Sequence, residues 1–114
     1  MKYLQGDIFY FNLNPSKGTE MQKKRPCLII SNNNYNHVFN TVIVVPISSS
    51  KKYFQKKYVE SPLFVEVKKD LVNGTILLQH IRSVDPKSRI EGERLASLSG
   101  TEINRLSEII KEFL

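Results

Sequence analysis

Thr41-Val42-Ile43-Val44-Val45-Pro46-Ile47 is the stretch that decides the fold. Nearly every residue in it is β-branched, a shape that packs well on an extended backbone. It shows no alternation of apolar and polar positions, so it predicts a strand buried on both faces. Upstream, Arg25-Pro26-Cys27-Leu28-Ile29-Ile30-Ser31 and Asp7-Ile8-Phe9-Tyr10-Phe11-Asn12-Leu13 also read as strands. Pro26 cannot donate to a ladder, so its strand begins at or just after it, or lies at an edge there. The turn formers Asn14-Pro15-Ser16-Lys17-Gly18-Thr19 separate these two strands, and Asn32-Asn33-Asn34-Tyr35-Asn36 reads as a turn or loop.

Downstream, a polar loop is expected over residues 48–62, then a short strand, Leu63-Phe64-Val65-Glu66-Val67. Asn73-Gly74 is a hairpin signal. Thr75-Ile76-Leu77-Leu78-Gln79-His80-Ile81-Arg82-Ser83-Val84 runs as one strand or a broken pair, and Asp85-Pro86 turns the chain. Ser99 and Glu102 form a capping box, and Ile103, Leu106, Ile109 or Ile110, and Phe113 recur at helical spacing. Five or six short strands and one terminal helix predict a mainly β single domain over 1–114, a small barrel with a helix packed on it.

Seventeen basic against 11 acidic residues give a formal net charge of +6, which favours a polyanionic partner. Lys17, Lys23, Lys24 and Arg25 form one basic group and Lys51, Lys52, Lys56 and Lys57 another, suggesting one basic surface built from two loops. No apolar run approaches the roughly 20 residues that span a bilayer, so no membrane partner is expected. Met1-Lys2-Tyr3-Leu4-Gln5-Gly6-Asp7 lacks the apolar core of an export signal, which makes the cytoplasm the expected address. The single cysteine, Cys27, lies in an apolar run and reads as a small buried hydrophobe.

The inventory excludes most familiar chemistry. His37, His80 and Cys27 lack zinc-ligand spacing, the five glycines form no phosphate loop, and no nucleophile triad can be read. No metal and no cofactor is expected. What remains is arginine, hydroxyls, carboxylate and backbone amides. RNA needs no more, because its 2′-OH is its own nucleophile and the protein has only to position phosphate, stabilise charge and move protons. Arg25 opens a strand beside two lysines and can grip phosphate bidentately. Val45-Pro46-Ile47-Ser48-Ser49-Ser50 places hydroxyls where a buried strand ends. Lys51-Lys52-Tyr53-Phe54-Gln55-Lys56-Lys57-Tyr58 interleaves lysines with aromatics, a mixture that suits unpaired nucleic acid or, equally, a hairpin with partly buried rings.

In order along the chain, these segments resemble the MazF/PemK (Kid) toxin family. Gly6-Asp7-Ile8, Leu13-Asn14-Pro15, Gly18-Thr19-Glu20 and Arg25-Pro26 are similar to its opening signature. Leu28-Ile29-Ile30-Ser31 with Tyr35-Asn36, then Val44-Val45-Pro46-Ile47-Ser48-Ser49, then Leu77-Leu78-Gln79-His80-Ile81-Arg82-Ser83-Val84-Asp85, follow in register over roughly residues 6–90. The resemblance implies an SH3-like small barrel of the CcdB/MazF type with a C-terminal α-helix, homodimeric. It also implies single-stranded RNA as substrate, cut to a 2′,3′-cyclic phosphate and a 5′-hydroxyl, and a cognate antitoxin whose acidic, partly disordered C-terminal segment occupies the same groove. Carried across residue by residue, Arg25 acts on the scissile phosphate as charge stabiliser and proton donor. Ser48 takes a hydroxyl position usually held by threonine, and Glu20 is a base or orienting acid. Lys17, Thr19, Gln22, Lys23, Lys24, Ser31, Asn36, Ser49, Lys51, Lys52, Tyr53, Phe54, Gln79, His80 and Arg82 become RNA-binding candidates. The chain departs from the family at Gln79-His80, where many members carry an acid before glutamine. Gln79 cannot act as a base, whereas His80 can titrate near neutral pH.

Two other classes compete. A non-catalytic toxin of the same barrel can poison DNA gyrase, as CcdB relatives do through C-terminal residues that include a tryptophan. This chain has no tryptophan and ends Lys111-Glu112-Phe113-Leu114. A module that binds RNA or protein without cutting is the third, and retention of Arg25 and a hydroxyl at position 48 argues against it.

Overall fold

The computed structural model describes residues 3–14 and 23–114. The decisive apolar run forms β3, Val42–Ser48, and lies inside the sheet as its lack of alternation requires. Its neighbours are β2 (Lys24–Ile29) on one side and, on the other, β5 (Val72–Leu77) and β6 (Arg82–Val84) in succession. With β1 (Asp7–Asn12), β4 (Phe64–Lys69) and β7 (Ile90–Ser97), the described residues make one seven-stranded sheet, ordered β4-β5-β3-β2-β1-β7 with β6 against β3. These strand pairs are all antiparallel, and the sheet curls into a half-barrel whose edge strands β4 and β7 are not paired with each other.

Both faces of the sheet are covered. Ile8, Leu28, Val45, Ile47, Val65 and Ile76 pack with Ile103 and Leu106 of the terminal helix, Gly100–Lys111. Phe9, Phe11, Cys27, Ile29, Val42, Val44 and Val84 fill the other face. The helix starts at the expected capping box, with Ser99 Oγ accepting from the Glu102 N–H and the Glu102 carboxylate accepting from the Ser99 N–H. Glu102 also holds Lys69 Nζ at 2.8 Å, tying the helix to β4. The Gly6-Asp7 pair proves to be architectural. Gly6 has φ +95° and a Cβ there would meet Leu98 O at 2.8 Å, while buried Asp7 accepts from Leu4 N–H and pairs with Arg94.

Several expectations need correction. Asn73-Gly74 is not the hairpin turn: both residues lie within β5, and the turn falls at Asp70-Leu71, with Asp70 at φ 52°. Gly74 is required for close approach instead, since a Cβ would stand 2.4 Å from Ser48 O. Residues 32–36 do not form a loop, because Asn32 caps a helix at Asn33–Val38 by accepting from Tyr35 N–H. The polar stretch 48–62 holds two short helical turns, Lys51–Phe54 and Lys56–Val59. Another caps on Asp85 at Pro86–Arg89. β7 escapes the sequence reading because it is a largely exposed edge strand. Gly92 (φ +86°) and a register shift against β1 between Ile8 and Tyr10 break any alternation. Thr75 to Val84 is the broken pair of strands, interrupted by a 3-10 turn at Leu78–His80. Pro26 pairs with Tyr10 of β1, but β3 joins β2 only from Cys27, so one edge at Pro26 is open.

Candidate active site

Strand alternation sets the site. Cys27 pairs with Pro46, and paired residues share a face of the sheet. Alternation along the two strands puts Arg25 and Ser48, which lie just beyond the last β2–β3 pair, on the face that carries Cys27. Ser48 is 4% exposed, and its Oγ accepts from Ser50 N–H at 3.2 Å, which leaves the hydroxyl proton for an outside acceptor. Thr75 continues the row as the partner of Ser48 on β5 and is also buried. Arg82 joins the face from the opposite edge of β3, paired with Val44, and its Nη1 donates to Leu13 O at 3.4 Å. The Arg25 and Arg82 charges both bear on Cys27, whose thiol is fully buried and donates weakly to Arg25 O. Burial outweighs the two cations and pushes that thiol up to about 12, so it stays protonated and inert.

Gln79 and His80 sit in the 3-10 turn where the strand leaves β3 between Thr75 and Arg82. Gln79 is exposed. His80 is half-buried, and burial first, then the Arg25 charge, holds its imidazole below the ordinary value. The Arg25 charge therefore reaches both Cys27 and His80, and the Arg82 charge reaches Cys27.

The remaining candidates divide. Ser49, Lys51, Lys52 and Phe54 are exposed just beyond Ser48. Tyr53 is not an open stacking surface: it stacks on Phe64 with centroids 5.6 Å apart and meets Tyr58 edge-on, so these rings pack on each other. Lys24 is turned to the opposite face, where it pairs with Glu91 at 3.0 Å over the Tyr10 ring. Ser31 and Asn36 are committed to structure at the far end of the β2–β3 pair, ~20 Å from Arg25 at the rise of an extended strand. Ser31 Oγ donates to Asn36 Oδ1 and accepts from Ile43 N–H, and Asn36 Nδ2 donates to the Ser31 and Tyr3 carbonyls. Lys23, at φ 70°, closes the stem below Arg25, with Leu13 N–H donating to its carbonyl. Lys17, Thr19, Glu20 and Gln22 lie outside the described residues.

Sequence reasoning missed three contributors. Gly74 gives β5 its approach to Ser48, Thr75 extends the hydroxyl row, and Arg89 Nη1 holds the Asn12 and Asn14 carbonyls at 3.0 and 2.7 Å. No local sequence signal points to these roles, because each acts through a partner strand. Among the described residues, no group of three or more His, Cys, Asp and Glu is placed to hold a metal ion. No helix among them is long and apolar enough to cross a membrane. Two guanidinium groups and a hydroxyl donor on one face, with an imidazole in the adjoining turn, can bind a phosphodiester, neutralise added charge and move a proton.

The profile of PemK-like, MazF-like toxins of type II toxin–antitoxin systems matches residues 4–114. The sequence is 31% identical over 110 residues to the endoribonuclease MazF of Staphylococcus saprophyticus, across 93% of this chain and 86% of that protein. The fold superposes on crystal-structure MazF from Deinococcus radiodurans with a TM-score of 0.79 at 26% identity, over 99% of this chain and 96% of that one. A MazE–MazF crystal structure from the same organism matches with a TM-score of 0.74 at 26% identity, over 99% and 96%.

Proposed function

Because the chain belongs to the PemK-like, MazF-like toxins of type II toxin–antitoxin systems, we propose that it is an endoribonuclease cutting single-stranded RNA without a metal ion. The observation that carries this reading is that Arg25, Arg82 and buried Ser48 share one sheet face. RNA supplies its own nucleophile. The 2′-oxygen bonds to the adjacent phosphorus, the bond from phosphorus to the 5′-oxygen breaks, and a 2′,3′-cyclic phosphate and a 5′-hydroxyl result. Arg25 neutralises the charge added to the phosphoryl oxygens, and the Ser48 hydroxyl donates to one of them. Lys51, Lys52 and the exposed ring of Phe54 hold the flanking strand, and Gln79 hydrogen-bonds a base edge or sugar. Glu20 enters from the family resemblance alone, as an orienting acid or a base.

Incubation with single-stranded RNA in excess EDTA, followed by analysis of the new ends, tests the reading. Cyclic phosphate on one fragment and 5′-hydroxyl on the other are expected. Loss of cutting in EDTA refutes it.

The working unit in this reading is a homodimer. A cavity of about 200 Å³ between the terminal helix and the sheet is lined by Ile30, Ile43, Ile81, Ile103, Leu106 and Ile110. Ile81 is 44% exposed there. Apolar surface of this kind favours coverage by a second copy. Sedimentation of the wild type should give a dimer at micromolar concentration, and Ile81→Glu should give a folded monomer. A wild-type monomer would contradict the dimer. The second partner is an antitoxin, as in the MazE–MazF complex matched above. An acidic, partly disordered segment that folds on binding would neutralise the cationic groove.

A further inference from the structure

The cleavage reaction releases a proton from the 2′-hydroxyl, and few of the described groups at this end of the face can take it. Arg25 and Arg82 are already cations. The Cys27 thiol is buried and protonated. Ser48 can donate but is far too weak an acid or base to hold a proton near neutrality. Gln79 carries an amide. Glu66 shares the face as the partner of Thr75, but two strand spacings, ~10 Å, separate β4 from β3. His80 is different. Its turn packs against β3, whose residues Val42–Ser48 contain no titratable group, and it stands in the gap between Ser48/Thr75 and Val44/Arg82. Leu78 is buried on the helix side and Ile81 lines the cavity there, while the cation whose charge reaches the ring is Arg25 of β2.

We propose that His80, whose turn lies against β3 between Ser48/Thr75 and Val44/Arg82, is the catalytic base of this enzyme, taking the 2′-hydroxyl proton on its unprotonated ring nitrogen. This rests on the RNA-cleaving reading and goes beyond it by moving proton acceptance from Glu20 to His80, leaving Glu20 to orient. As the 2′-oxygen bonds to phosphorus, the proton passes to His80. The 5′-oxygen leaves with a proton from water, and the imidazolium returns its proton to the hydroxide so formed. Burial first, and then the Arg25 charge, favours the neutral resting ring, and Arg25 also offsets the charge growing on the phosphate. The sign follows directly. Cleavage is lost as the pH falls and the ring protonates, and because burial and Arg25 lower the ring's pKa, the loss sets in below the ordinary imidazole value.

Single-turnover cleavage measured against pH, for wild type, His80→Gln and Glu20→Gln, tests this. Wild type should lose about tenfold in rate per pH unit below the ring's pKa. His80→Gln should lose about 10²-fold at neutral pH and lack that limb. Its affinity for an RNA with a 2′-deoxy sugar at the cut should stay within about threefold of wild type. An NMR titration of the ring should move upward in Arg25→Ala, which removes the repelling charge. The proposal falls if His80→Gln keeps the wild-type rate and limb, if the limb vanishes in Glu20→Gln instead, or if the ring's titration ignores Arg25. Wild type that cuts no RNA at any pH sinks the ribonuclease reading itself. Arg25-dependent cutting with an unchanged limb in His80→Gln sinks only the assignment of His80.

Discussion

Arg25→Ala is expected to lower RNA cleavage by about 10³-fold or more while the chain still folds, since a guanidinium aimed at a reacting phosphate contributes on that scale. Arg25 lies near the start of β2 at the edge of the core, and the packing beneath it rests on Phe11, Cys27 and Ile29. Circular dichroism and a thermal melt should therefore stay close to wild type. Arg25→Lys separates charge from geometry. A lysine keeps the charge but loses the planar fork that holds two phosphate oxygens together, so its activity should fall between wild type and alanine. Full cleavage by Arg25→Ala would remove the central group of the mechanism.

Gly74→Ala should damage stability and activity together. The new Cβ would lie 2.4 Å from Ser48 O and 3.0 Å from Ile47 Cγ2, inside the paired backbones of β5 and β3. A backbone atom cannot swing away as a side-chain tip can, so the strands must separate locally. Overpacking of this kind costs about 1–3 kcal/mol. That is a large part of the 5–15 kcal/mol typical of a domain. Because the displaced atoms belong to Ser48, cleavage by the fraction that remains folded should also fall. A denaturant midpoint and a rate corrected for folded fraction read the two effects. Unchanged values for both would mean that β5 does not need glycine to reach Ser48.

These two residues differ in how far they could be read from the sequence. Arg25 carries its own signal: an arginine opening an apolar strand, inside a motif with Pro26. Ser48 is similar, as a hydroxyl where the most apolar run ends. Gly74 carries a misleading one, since Asn-Gly suggests a hairpin turn and the turn falls instead at Asp70-Leu71. What makes position 74 glycine is the carbonyl of a residue 26 positions earlier, and no local window contains that contact. Lys24 and Arg25 make the same point between neighbours. Both look like parts of one basic group, yet alternation along β2 sends them to opposite faces, and Lys24 ends on Glu91 of an edge strand with no sequence pattern of its own.

By itself, the sequence determined the elements whose physics is local. These are the buried β3, the strands before it, the capped terminal helix, and a residue inventory that leaves phosphate chemistry to arginine and hydroxyl groups. Periodicity, capping and residue chemistry act within a few positions, and so they are written there. Only the tertiary structure decided which of those groups meet. It put Arg25 and Ser48 on one face, brought Arg82 to that face from the other edge of β3, turned Lys24 away, and set the turn of His80 in the gap between β5 and β6, within reach of the Arg25 charge. Pairing register and sheet curl belong to strands far apart in the chain. The site at Arg25, Ser48 and His80 is therefore a product of that pairing.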